Sequence, residues 1–289
     1  MPKYKAKIGV IGGSGLYEIA GMTDIEEVDI ATPFGKTSDA ITLGKLEGVG
    51  IAFLPRHGKG HRIMPTELPS RANIYALKSL GVEHIIAINS AGSFKKEVKP
   101  GHLLIPDQLI DRTRNRVNTF FGEGVVAHVS FAEPFCPKLS QVLYESAQAA
   151  GAKVHPKGTM VVMEGPAFST RAESQLYKAW GADIIGMTAL PEAKLAREAE
   201  ICYAIIGCVT DYDSWWEPGQ PVTVDVILEI MRKNIDASKK IIKLAVSRIS
   251  LKRGCACPKA VENAIITAPE TIPAKTKKKL NLIIGKYVK

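Results

Sequence analysis

Long hydrophobic runs are missing from this chain of 289 residues. Segments such as Tyr203–Val209 are apolar, but a bilayer span needs roughly 20 such residues, so transmembrane helices are excluded. Cysteine is scarce. The five residues Cys136, Cys202, Cys208, Cys255 and Cys257 include no two close pairs, so no zinc spacing and no disulfide framework is legible. Free thiols are the default in a reducing cytoplasm, with Cys202 and Cys208 packing inside an apolar strand and a disulfide involving the Cys255/Cys257 pair as the alternative. Aromatic residues are few, at 7%, and none interleaves with Lys275, Lys277, Lys278 and Lys279. That cluster therefore reads as part of a solvated tail, and no nucleic-acid partner is expected.

Two nucleotide fingerprints are also missing. Gly13-x-Gly15 is followed by Glu18 where a dinucleotide turn needs a third glycine, and no Gly-Lys-Ser/Thr of a P-loop occurs. The Met-Pro-Lys-Tyr-Lys-Ala-Lys start is too short and too polar for a signal segment, so the expected location is the cytoplasm. What is present is ordinary globular composition, with 46% apolar and 23% charged residues. The net charge of +9 is concentrated behind residue 258, leaving a mildly basic body suited to an anionic substrate.

β-Branched apolar runs alternate with helical segments. Strands are expected at Lys7–Ile11, Ala40–Leu46, Gly50–Leu54, His84–Asn89, His102–Ile105, Thr159–Met163, Asp183–Met187 and Tyr203–Val209. Helices are expected from Leu68 to Leu80, from Pro137 to Ala150, from the Thr170/Glu173 capping box to near Gly181, from Leu190 to Ala199, and from Thr223 to about Ile249. This alternation predicts an α/β fold, a central mixed twisted sheet with helices on both faces and a site at the strand carboxyl ends. Near Arg253 the pattern changes, dividing a catalytic domain (1–253) from a Cys/Lys-containing extension (254–289).

Four short segments carry chemistry. Gly12-Gly13-Ser14-Gly15 allows backbone N–H groups and a hydroxyl to approach an anion. Arg56-His57-Gly58-Lys59-Gly60-His61 follows a strand. Its glycines oppose a metal-binding helix, so Arg56 reads as a guanidinium grip on an oxyanion, not as part of a metal site. Asn89-Ser90-Ala91-Gly92-Ser93 offers small residues and donors at another strand end. In Thr210-Asp211-Tyr212-Asp213, period-two spacing puts both carboxylates on one side if the chain stays extended, suited to one edge of a planar base.

The stretches IGVIGGSGLY, TPFGKTSDA, RHGKGH, NSAGS, FAEPFCP, KGTMVVMEGPAFSTRAES, WGADIIGMTALPEAKLAREA and CYAIIGCVTDYDSWW, in this order, resemble the purine nucleoside phosphorylases. Among these, the 5′-methylthioadenosine phosphorylases are the nearest in pattern. The resemblance implies a phosphorylase/hydrolase-like fold, a homotrimer, and phosphorolysis of methylthioadenosine to adenine and 5-methylthioribose 1-phosphate, with orthophosphate as co-substrate and no metal or organic cofactor. A broader 6-oxo or 6-aminopurine nucleoside phosphorylase is the alternative. It further implies a phosphate cage of Ser14, Arg56, His57, Ser90, Ala91 and Thr188. Phe168, Ser169, Asp211 and Asp213 fall at the base, with Asp211 as proton donor to N7. Met187 falls at the ribose. His61, Val224 and Ile227 fall at the 5′-alkylthio pocket, and His128 resembles a residue lent by a neighbouring subunit.

An ionised Asp213 accepts from a 6-amino group and has nothing to offer a 6-oxo group. Asp213→Asn is therefore expected to shift the ratio of kcat/KM towards inosine-type substrates. Parallel assays on adenine and hypoxanthine nucleosides check this, and an unchanged ratio refutes it.

Overall fold

The computed structural model describes residues 5–13, 19–216 and 224–288, with the side chains of 224–229 and Met231 outside that description. The elements are β1 (Ile8–Gly12), β2 (Thr23–Val28), β3 (Ile41–Leu46), β4 (Val49–Pro55), α1 (Ser70–Ser79), β5 (His84–Ser93), β6 (Leu103–Leu104), β7 (Gln108–Arg112), α2 (Pro137–Ala149), β8 (Val154–His155), β9 (Thr159–Met163), α3 (Arg171–Ala179), β10 (Ile184–Gly186), α4 (Ala189–Glu198), β11 (Cys202–Asp211), α5 (Val224–Arg248) and α6 (Ala274–Ile284). The strands form one mixed sheet ordered β2-β3-β4-β1-β5-β10-β9-β7, with β11 pairing β5 and β6 off that path. β4, β1, β5 and β11 are mutually parallel, so their carboxyl ends share one rim.

Alternation along the strands explains the two helical layers. Tyr203, Ile205 and Val209 of β11 face a core containing Ile74 and Leu77 of α1 and Leu195 and Ala196 of α4. Cys202, Ala204, Ile206 and Cys208 face the opposite core, with Leu139 and Leu143 of α2 and Ile241, Ile242 and Ala245 of α5. A strand buried on both faces must be apolar at every position, which is why β11 reads as a continuous run.

Three strands escape the sequence pattern. Thr23–Val28 is largely exposed and charged because β2 is an edge strand, β7 is half-buried, and β8 has two residues. β5 and β11 also run further than expected, to Ser93 and Asp211, so Asn89–Ser93 is strand and not loop.

The solvated-tail reading is corrected. α6 buries Thr276, Leu280, Ile283 and Ile284, and its apolar residues join the α1/α4 core together with Ile272 and Val288. Lys279 pairs with Glu123 and lies over the Phe34 ring. The lysines mark only the outer face of an amphipathic helix, because apolar residues three and four apart face inward. Leu280→Ala is expected to cost about 2–5 kcal/mol and Lys278→Ala less than about 0.5 kcal/mol. Equilibrium urea denaturation of the two variants measures both.

Candidate active site

The shared rim gathers the predicted segments. The Arg56 N–H donates to the Gly12 carbonyl at 2.9 Å, tying the end of β4 to that of β1. Ser14, two residues on, lies outside the described residues.

Arg56 is buried, and its guanidinium grips a side chain of the protein. Nε and Nη2 donate to the two oxygens of Glu192 at 2.5 and 3.1 Å, and Nη1 donates to the Ile88 carbonyl at 2.8 Å. Tyr203 donates its hydroxyl to the same Glu192 at 2.9 Å. The fork assigned to an oxyanion is thus engaged by Glu192, and what Arg56 offers the rim is a fixed positive charge. Burial alone would push its pKa down. Glu192 reverses this and leaves it raised. Sequence reasoning missed Glu192 and Tyr203, since a carboxylate inside the ALPEAKLAREA helix and a tyrosine inside an apolar strand carry no outward sign of pairing.

His57 is held down to a pKa of about 4, first by burial and then by the neighbouring Arg56 and His61 charges, against a hydrogen bond to Ile63. At neutral pH it is uncharged. Nδ1 carries the proton and donates to the Ile63 carbonyl at 2.8 Å, which leaves Nε2 as an acceptor. Such a group accepts from a P–OH and does not attract an anion by charge. His61 stacks on it with ring centroids 4.2 Å apart.

Asn89 links this centre to the next loop. It donates to the Thr188 hydroxyl at 2.6 Å, just beyond the end of β10. Ser90 is exposed and Ala91 buried beside it. Arg116 donates to the Met187 and Leu190 carbonyls at 2.5 and 2.7 Å and also reaches the Glu164 carbonyl. It therefore fixes Met187 and Thr188 against the loop leading to Phe168 and Ser169. The Thr170/Glu173 capping box closes that loop into α3, as its spacing predicts. Phe168 is half-exposed, while Ser169 is buried and its carbonyl accepts from Ser214.

Asp211 and Asp213 do converge, but not by strand alternation. The chain leaves the extended state after Asp211, and the Asp213 N–H turns back to donate to Asp211 Oδ1 at 2.9 Å, an Asx-type turn. Thr210 donates to Asp211 Oδ2 at 2.7 Å. Gly92 makes this possible. A Cβ there would stand 2.9 Å from Asp211 Oδ1 and 3.2 Å from the Asp213 Cβ. Burial pushes the Asp211 carboxyl pKa upward, against the Thr210 and Asp213 hydrogen bonds that favour its ionised form. Asp213 is likewise raised, first by burial and then by Asp211, and its Oδ2 is buried without a protein partner. Two carboxyls in one dry corner favour holding at least one proton.

Three of the expected residues are not joined to the rim by the described contacts of this chain. His128 is exposed, and its N–H donates to the Ala264 carbonyl. No described hydrogen bond or ring contact joins it to the rim. The side chains of Val224 and Ile227 lie outside the described residues. Removing one partner of a buried ion pair strands the other charge, so Glu192→Gln is expected to destabilise the fold by about 3–5 kcal/mol. Chemical denaturation checks it against Glu133→Gln, a variant of an exposed carboxylate.

Residues 7–247 match the family model described as the phosphorylase superfamily. The chain is 57% identical to the S-methyl-5′-thioadenosine phosphorylase of Geobacter sulfurreducens, over 97% of this chain and 99% of that protein. It is 52% identical to the protein of the same name from Koribacter versatilis, over 98% and 97%. A methylthioadenosine phosphorylase from an antarctic soil metagenomic library superposes with a TM-score of 0.93 at 47% identity, covering 97% of this chain and 99% of that one. A single-substitution mutant of the Schistosoma mansoni adenosine/methylthioadenosine phosphorylase, solved in complex with methylthioadenosine, gives a TM-score of 0.78 at 40% identity, over 84% and 92%. The mixed sheet with its two helical layers, the rim that collects Arg56, Thr188 and Asp211, and these matches over nearly the whole length agree, and the chain belongs to the phosphorylase superfamily.

Proposed function

We propose that the chain cleaves S-methyl-5′-thioadenosine with orthophosphate, giving adenine and 5-methylthioribose 1-phosphate. One observation carries the reading: a buried carboxyl pair with raised pKa values ends β11, and the buried Arg56, just past the end of the parallel strand β4, donates to β5, the strand beside β11. Relatives bearing the phosphorylase name over almost the full length support it.

In this reading Asp211 donates a proton to purine N7 as the C1′–N9 bond breaks. The electron pair leaves with the base, and a phosphate oxygen bonds to C1′ from the opposite face. A phosphate dianion also stabilises the cationic sugar before it attacks. The cage is Ser14, Arg56, His57, Ser90, Ala91 and Thr188. Arg56 supplies charge and His57 Nε2 accepts a phosphate proton. Phe168 and Ser169 hold the base, Asp213 reads its amino group, and Met187 meets the ribose. His61, Val224 and Ile227 line the 5′ side. No cofactor enters the scheme. Water in place of phosphate is disfavoured because a nucleosidase has no use for the Arg56/His57/Thr188 set.

We further propose a cytoplasmic homotrimer in which His128 serves a neighbouring site. Its exposed apolar neighbours Val126 and Ile266, 51% and 68% accessible, support burial of that face in an assembly. Among the described residues no helix is long and apolar enough to cross a membrane.

Adenine release from methylthioadenosine is expected to require orthophosphate, with adenosine cleaved and inosine and guanosine much poorer. Equal release without phosphate overturns the reading. Asp211→Asn is expected to lower kcat by about 10²–10⁴. Because the acid must be protonated, the wild-type rate is expected to fall as pH rises through the Asp211 pKa; a rate that stays level with pH in steady-state assays counts against that role.

A further inference from the structure

Four of the five cysteines, scattered in sequence, meet in space. The sulfurs of Cys136, Cys202, Cys255 and Cys257 all lie within 4.8 Å of one another. They come from three places: the residue capping the start of α2, the first residue of β11, and the loop after α5. Three are buried and Cys255 is half-buried. We propose that these four thiolates form a structural zinc site.

The geometry fits the ion. Four sulfurs about 2.3 Å from a tetrahedral zinc stand about 3.8 Å from each other, and the Cys202 and Cys255 sulfurs are 3.4 Å apart. A disulfide requires about 2.05 Å. Four thiols crowded in an apolar core gain little from one another, whereas a divalent cation converts them into ligands. The surroundings suit negative sulfur. Cys136 sits at the positive end of the 13-residue α2. His84, level with Cys202 in the β5–β11 ladder, has a buried Nδ1 without a protein partner.

The position assigns the site a structural task. Cys202 and Asp211 lie at opposite ends of the ten-residue β11, about 30 Å apart at 3.3 Å per residue. The ion would bind no substrate. It would fasten the segment after α5, and through it α6, to the amino-terminal edge of the sheet.

The full-length protein, purified and dialysed against metal-free buffer, is expected to hold about one zinc per chain by plasma mass spectrometry. Cys255→Ser/Cys257→Ser is expected to lower this at least tenfold, and Cys208→Ser, outside the cluster, to leave it unchanged. Cobalt exchanged into the wild-type protein is expected to show sulfur-to-metal charge transfer and tetrahedral d–d bands, a readout independent of whether the variants fold. A metal-free protein that takes up no cobalt overturns the proposal, whether thiol titration in denaturant finds five free thiols or finds the four converted to disulfides.

Discussion

A buried guanidinium paired with a buried carboxylate organises the site. Arg56 and Glu192 are each nearly inaccessible, and isolated charges of this kind would be strongly disfavoured. Two-point contact, the Tyr203 hydroxyl and the Ile88 carbonyl make the burial tolerable. The consequence is geometric. Glu192 stands on α4, Arg56 follows β4, and Tyr203 lies near the start of β11, so the pair ties three separate elements together beneath the rim. Asn89 and Thr188 extend the lock to β5 and β10.

A second constraint is absence of a side chain. Asp211 and Asp213 press against β5 where Gly92 has only hydrogen, and the Asx turn holds them together. Burial disfavours the ionised forms while two hydrogen bonds hold Asp211 in place. The carboxyl that must part with a proton and the charge that must hold an anion are thus set by different physics, one by desolvation and one by an internal ion pair.

The strand carboxyl-end residues were legible because apolar runs end abruptly in polar or glycine-rich segments. Helix limits were legible at the Thr170 capping box, at Gly81 and at Gly151. β2 was not, since an exposed edge strand has no apolar face to betray it. α6 was obscured by its lysines, whose outward row masks Leu280, Ile283 and Ile284. The convergence of Asp211 and Asp213 is legible from the sequence only by coincidence: strand periodicity points to it, but a turn produces it.

Local order in this chain determined which segments pair as strands, which coil into helices, and which residue types stand at strand ends, because hydrophobic period and capping chemistry act over a few neighbours. Glu192 as the partner of Arg56, the neutral state of His57, the need for Gly92 and the meeting of Cys136, Cys202, Cys255 and Cys257 were decided only in three dimensions. Each depends on burial and on contacts between residues far apart in the chain, and linear spacing contains neither quantity.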